Sequence, residues 1–260
     1  MRIAFVADVF GPAGRTAVET RLPALREELE VDFCAVNGEN AADGRGITPR
    51  IADRLLASGA DVVTLGNHVW ARDEIRTYLA TSERVIRPAN LASGSPGTGL
   101  AVAPARDGTP VAVVNLLGHL FLNVPVSPFE MLEGLIDDAR SRATVVLVDF
   151  HAEATSEKVA VARILDGRVT AVIGTHTHVQ TSDARIQPGG TAAITDAGMT
   201  GPHDSVIGVE AELAIRRMQT GLPVRFKPAT TGVRVEGVVV DCDPATGLAT
   251  AIESLRVAVD

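Results

Sequence analysis

Aromatic side chains are scarce: one Trp, one Tyr and seven Phe stand among 260 residues. A core must therefore be assembled from Ala, Val, Leu and Ile, and a hydrophobic content of 46% is ample for one. Cysteine is scarcer still. Cys34 and Cys242 lie far apart in apolar runs, which argues against a disulfide framework and against a thiolate metal site. No basic run occurs, and the net charge is −8. General electrostatic gripping of a nucleic-acid backbone is disfavoured, so no stable nucleic-acid complex is expected. A small phosphate ester held by metal ions is compatible with that charge. Lys158 and Lys227 are the only lysines, a bias that reads as genomic base composition. The first apolar run, 3–7, is too short for a signal peptide, and no later run approaches a membrane span. A cytoplasmic protein without a membrane partner is the expectation.

What is present is a repeated pattern: a short apolar run, a polar loop containing Gly, then a helix-like stretch. The runs 3–7, 33–36, 62–65, 145–148, 171–173 and 192–194 read as strands. Helical periodicity marks 15–29, 49–57, 72–79, 129–142, 157–165 and 209–220. Such alternation implies an α/β layered domain. Two regions break it. Residues 100–116 read as a hairpin turned at Asp107-Gly108, and 224–259 as three strands with a tight turn over 243–247. A second, largely antiparallel sheet packed on the first would accommodate both. No linker or repeat is evident, so residues 1–260 are read as one domain.

Chemistry in layered α/β folds collects beyond the carboxyl ends of strands. The run 171–173 is followed by Gly174-Thr175-His176-Thr177-His178, and two histidines at i, i+2 on extended backbone share a face. Converging imidazoles are costly to desolvate unless something binds them, and a metal is the simplest occupant. The other strand ends carry Asp8, Asn37-Gly38-Glu39-Asn40, Gly66-Asn67-His68 and Asp149-Phe150-His151. Each has a plain alternative: Asp8 as a helix cap, Asn67-His68 as turn chemistry, His151 as a core histidine. Those explanations would have to coincide at five strand ends. The oxygen and nitrogen donors without thiolate suit a catalytic site for Mn, Fe or Zn. Arg45 reads as a solvated loop charge in preference to a substrate-phosphate contact, and Trp70 as a packing residue or a base-stacking one, while His119 and His203 stand outside the series.

In order and spacing these residues resemble the calcineurin-like metallophosphoesterases, and more closely their bacterial YmdB-like branch. The resemblance spans essentially the whole chain. It includes Val36-Asn-Gly-Glu-Asn-Ala-Ala42, Leu65-Gly-Asn-His68, Arg87-Pro-Ala-Asn90, Asp149-Phe-His-Ala-Glu-Ala-Thr-Ser-Glu157 and Asp196-Ala-Gly-Met-Thr-Gly-Pro202. Against the broad superfamily, Asp8-Val9-Phe10 lacks the usual second histidine and Glu39 replaces an aspartate. The YmdB-like branch shares both changes.

The resemblance implies a two-sheet αββα sandwich and two divalent or mixed-valence metal ions, Fe or Mn, with Zn also suited. One ion would take Asp8, Glu39, Asn40 and His178, the other Glu39 as bridge with Asn67, His151 and His176. Asn40 alternatively orients a neighbouring ligand. The implied activity is hydrolysis of small phosphodiesters, including cyclic nucleotides such as 2′,3′-cyclic nucleoside monophosphates, by a metal-bridging hydroxide. His68 is assigned as the general acid that protonates the leaving oxygen. The alternatives are a phosphomonoesterase of the same fold and a nucleotide-sensing protein with little turnover. Assembly as a homo-dimer or tetramer is left open.

Overall fold

Short apolar runs become strands, and the longer stretches of 3.6-residue period become helices that cover them. The computed structural model describes residues 1–259. Its first half runs β1 (Arg2–Val6), α1 (Gly11–Glu28), β2 (Phe33–Asn37), α2 (Pro49–Ala57), β3 (Val62–Thr64), α3 (Ile75–Leu79), β4 (Val85–Ile86), β5 (Leu100–Pro104) and β6 (Pro110–Leu117). Then follow α4 (Pro128–Arg142), β7 (Val145–His151), α5 (Thr155–Ile164), β8 (Ala171–Thr175), β9 (Arg185–Ile186) and β10 (Ala192–Ile194). The chain finishes with β11 (Gly201–Pro202), α6 (Ala211–Thr220), β12 (Val233–Cys242) and β13 (Ala249–Ala258). No helix among the described residues is long and apolar enough to cross a membrane.

One sheet has the order β11-β12-β1-β2-β3-β4, with β13 also on β12; the other has the order β5-β6-β7-β8-β10-β9. Alternating side chains divide the burial between two faces of each sheet. Ile3, Phe5, Phe33 and Ala35 of the first sheet meet Val111, Val113, Leu147 and Ile173 of the second in a shared inner core. The intervening residues face outwards. Ala4, Val6 and Val36 pack against Val18 and Leu22 of α1 and Leu55 of α2. Val114, Val146 and Val148 pack against Leu132 and Ile136 of α4 and Val161 of α5. The layers are therefore helix, sheet, sheet, helix, as expected.

The second sheet departs from expectation. The 100–116 hairpin is present, Leu100 pairing antiparallel with Val114, but β6 then continues parallel to β7, and β7, β8 and β10 run parallel too. The C-terminal strands join the first sheet instead, β12 pairing antiparallel with β1 and β13 with β12. They number two, not three. Pro223 precedes and Pro228 interrupts the stretch read as the first of three, and it lies irregularly beside α6. Helix α1 also starts four residues earlier than its periodicity suggests, with Pro12 in the first turn, where its missing N–H costs nothing.

Candidate metal centre

Strands β1, β2 and β3 of one sheet and β7 and β8 of the other end at a common edge, and the polar residues beyond them meet there. Asp8, fully buried at φ 20°, accepts the His176 backbone N–H on Oδ2 at 2.8 Å. Glu39 Oε1 lies 3.0 Å from both Asn40 Nδ2 and His151 Nε2, and its Oε2 accepts the His68 backbone N–H. Asn67 Oδ1 and His176 Nδ1 each lie 3.1 Å from His151 Nε2. His178 Nε2 lies 3.1 Å from Asn40 Nδ2 and 3.6 Å from Asp8 Oδ2. All seven residues read as candidate ligands are thus in one cluster, with two halves. His151, His176 and Asn67 form one; Asp8, Asn40 and His178 form the other; Glu39 touches both. Gly66 permits this closeness, since a Cβ there would sit 2.2 Å from Glu39 Oε2 and 2.5 Å from His151 Nε2.

The donors fit a metal. Asp8 Oδ1 is buried without a hydrogen-bond partner, an expensive condition for a carboxylate unless a cation meets it. Donor atoms of Glu39, His151 and His176 all lie within 4.8 Å of one another. Burial pushes the Asp8 carboxyl well above its usual range. Burial alone would lower His151, but Glu39, Asp8 and Asp149 outweigh it and raise the imidazole to about 9. Burial, reinforced by His151, lowers His176 to about 3. Glu39 is driven up by burial but more strongly down by His151 and His68. Buried acids and imidazoles this close compete for few protons, whereas divalent cations would satisfy them together.

Each imidazole is oriented from behind. His151 Nδ1–H donates to Thr175 Oγ1 at 2.8 Å, and the Thr175 hydroxyl donates to Asp149 Oδ1 at 2.6 Å. Thr64 Oγ1 and Asn37 Nδ2 donate to the other Asp149 oxygen. This chain assigns the tautomer that turns the His151 Nε2 lone pair towards the cluster. His178 Nδ1–H donates to the Ile207 carbonyl at 3.1 Å, with the same effect on its Nε2. His176 Nε2 faces Glu153 Oε2 at 3.1 Å, so its Nδ1 is the atom presented inward.

The reason for convergence of the His-x-His pair differs from the expected one. Strand β8 stops at Thr175, and His176 and His178 have φ of 97° and 63°, so neither is on extended backbone. Non-glycine residues hold such angles only when their surroundings fix them. Here Thr177, between them, donates both its N–H (3.1 Å) and its hydroxyl (2.6 Å) to Asp196 Oδ2. The buried Lys158 ammonium donates to the same oxygen at 2.9 Å, and the Gly198 N–H bonds Oδ1.

His68 sits at the mouth, its Nδ1 2.8 Å from Asn40 Oδ1. Burial lowers its pKa, Glu39 opposes, and nearby Arg45 and His151 add to the lowering. The cluster opens into a cavity of about 660 Å³. Arg45, read from sequence as solvated, lines it, as do Arg217, Phe226 and Lys227. His203 instead approaches the Met199 carbonyl, and Trp70 packs against the outer core. Asn90 brackets Leu117, beside the His151 strand, through its N–H and carbonyl.

Sequence reasoning missed Asp149, Glu153, Thr175, Lys158 and Asp196 as supports of the site. Asp149 carried a usable signal: it precedes His151 by two residues on one strand and therefore shares its face.

Known proteins were compared with the chain. It is 46% identical over 257 residues to a 2′,3′-cyclic-nucleotide 2′-phosphodiesterase of Bacillus subtilis, covering 99% of this chain and 97% of that protein. A crystal structure of a hypothetical protein from Thermus thermophilus matches with a TM-score of 0.92 at 40% identity, covering 99% of both chains. A crystal structure described as a novel phosphatase, from Mycoplasma pneumoniae, matches with a TM-score of 0.91 at 34% identity, covering 99% of this chain and 93% of that one. The model of the YmdB-like protein family matches residues 4–255, and the chain belongs to that family.

Proposed function

We propose that this protein is a metal-dependent phosphodiesterase that hydrolyses small nucleotide phosphodiesters, 2′,3′-cyclic nucleoside monophosphates foremost. The observation that carries the reading is the two-halved cluster with Glu39 in contact with both halves. Asp8, Glu39 and His178 would hold one ion, joined by Asn40 once its amide is turned so that Oδ1 rather than Nδ2 faces the cluster; Glu39, Asn67, His151 and His176 would hold the other. Fe or Mn suits these donors, and Zn is accommodated. Bound there, the ions supply Lewis-acid compensation of phosphoryl charge and a water nucleophile at neutral pH. The substrate class is supported by the activity in the name of the B. subtilis relative.

The chain's own groups do the rest. His68, held through Nδ1 by Asn40, directs its other nitrogen to the cavity and protonates the leaving oxygen. Its lowered pKa makes the imidazolium a stronger acid. Arg45 on the same wall faces the anionic ester. The deep burial of Asp8, Glu39 and His151 excludes bulk water from the reacting end and strengthens every electrostatic contact there.

Elemental analysis of freshly isolated protein, followed by a panel of 2′,3′- and 3′,5′-cyclic nucleotides and a phosphomonoester, tests this. Two metals per chain and turnover of the 2′,3′-cyclic compounds are expected. One metal per chain would overturn the two-ion assignment, and hydrolysis of the monoester alone would overturn the diesterase.

A further inference from the structure

The cavity is unequal in charge from end to end. At its metal end, Asp8, Glu39 and the imidazoles answer to the ions and one phosphodiester anion. Farther out, α6 and the segment after it contribute Arg217, Phe226 and Lys227. Arg217 Cζ lies 5.2 Å from the Phe226 ring centroid, so its guanidinium is held by an aromatic face and keeps its N–H donors free. Neither Arg217 nor Lys227 pairs with a carboxylate among the described residues. The three carboxylates of the cavity wall are all engaged elsewhere: Glu39 with His151 in the cluster, Asp43 with Arg15 and Arg72, Glu153 with His176. A chain of net charge −8 thus holds, on the wall of this cavity, two cations that no carboxylate among the described residues matches.

A nucleoside cyclic phosphate with a free 5′-hydroxyl has a single negative charge, and the metal end accounts for it. We infer that Arg217 and Lys227, with Phe226 beside them, form a subsite for a second phosphate on the substrate, carried on the 5′ oxygen of the nucleoside. This rests on the diesterase reading above. Two sources share that chemistry: a 5′-phosphorylated mononucleotide and the 5′-linked phosphate of an oligonucleotide ending in a 2′,3′-cyclic phosphate. Arg and Lys serve such an anion differently, the guanidinium as a planar fork and the ammonium as a point charge. Phe226, which lines the cavity and is partly exposed, offers stacking that does not discriminate among bases, so little base preference should accompany the phosphate preference.

The test compares kcat/KM of the metal-replete protein for three substrates: a 2′,3′-cyclic nucleotide with a 5′-hydroxyl, the same with a 5′-phosphate, and a dinucleotide with a 2′,3′-cyclic end. A 5′ phosphate should raise kcat/KM about tenfold, through KM, and high salt should erase most of the gain. A gain for both phosphorylated forms assigns the subsite to RNA ends as well; a gain for the mononucleotide alone assigns it to free nucleotides. The double variant Arg217→Ala/Lys227→Ala should bring the ratio near one. Arg216→Ala, next along the helix and outside the cavity wall, should keep it. Equal kcat/KM for the three substrates, or loss of the ratio in Arg216→Ala, would overturn the subsite. If no cyclic substrate is turned over, the diesterase reading fails. Calorimetric binding of the same ligands then decides the subsite, equal affinity with and without the 5′-phosphate overturning it.

Discussion

Lys158 provides a quantitative test of how the His-x-His loop is held. Its ammonium and the Asp196 carboxylate are 4% and 1% exposed and 2.9 Å apart. Lys158→Met keeps the length of the apolar stem and removes only the charge and its donors. Stripping one partner from a buried ion pair costs roughly 3–5 kcal/mol, because the other charge stays buried. Asp196 would still accept from Thr177 N–H, Thr177 Oγ1 and Gly198 N–H. Three surviving donors place the expectation at the lower end, about 3 kcal/mol by that same accounting. In the double variant Lys158→Met/Asp196→Asn no buried charge remains, and the amide oxygen can still accept from Thr177. The amide nitrogen then confronts the Gly198 N–H, a defect of about 1–2 kcal/mol. The double variant should therefore be more stable than Lys158→Met alone. Urea unfolding of chelator-treated protein measures both, with the midpoint shift read at constant m. A Lys158→Met variant within about 1 kcal/mol of the parent, or a double variant less stable than the single, would refute the reasoning.

Other outcomes follow from the same geometry. Thr175→Val severs the Asp149–Thr175–His151 chain at constant shape and should weaken metal binding 10- to 100-fold, in the range of about that size typical of such supports; unchanged affinity in a chelator competition would show that the chain does not orient His151. His178→Ala should leave one metal where the parent holds two, and retention of both by elemental analysis would undo the division into halves. His68→Ala should slow hydrolysis of alkyl-leaving-group esters far more than nitrophenyl esters, since nitrophenolate needs little protonation; equal losses would remove the acid role. In metal-free protein His151 holds a proton up to about pH 9, so a metal must displace it. Metal affinity should rise with pH and level off above that value, and a flat profile would contradict the assignment.

The sequence made the donors legible because they sit at strand ends, and strand ends are marked by where apolar runs stop. Asp8, Glu39, Asn67, His151 and His176 were all found that way. It said less about supports that lie within strands or helices. Asp149 is marked only by its two-residue spacing from His151, while Thr175 and Lys158 occupy regular elements, where polarity alone does not distinguish a buried partner from a solvated face. Asp196 follows a three-residue strand and acts on a loop some twenty positions earlier. Sheet membership was hidden for a related reason. A hairpin pattern fixes which two strands pair but not which third strand accepts them, and so β5–β6 and β12–β13 were assigned to one sheet when they belong to two. The start of the C-terminal stretch, 224–228, reads as strand, but Pro228 and the preceding Pro223 leave it irregular, beside α6 at the cavity wall.

The cluster draws Asp8, Glu39, Asn40 and Asn67 from one sheet and His151, His176 and His178 from the other. Ions held there would clasp the open edge of the sandwich, in parallel with the bonds from Asn37 and Thr64 to Asp149, which need no metal. Binding to the folded state alone adds stability with ligand concentration, about 2.7 kcal/mol at a hundred times the dissociation constant. Metal supply would then govern how long each molecule survives proteolysis, as well as how fast it turns over substrate.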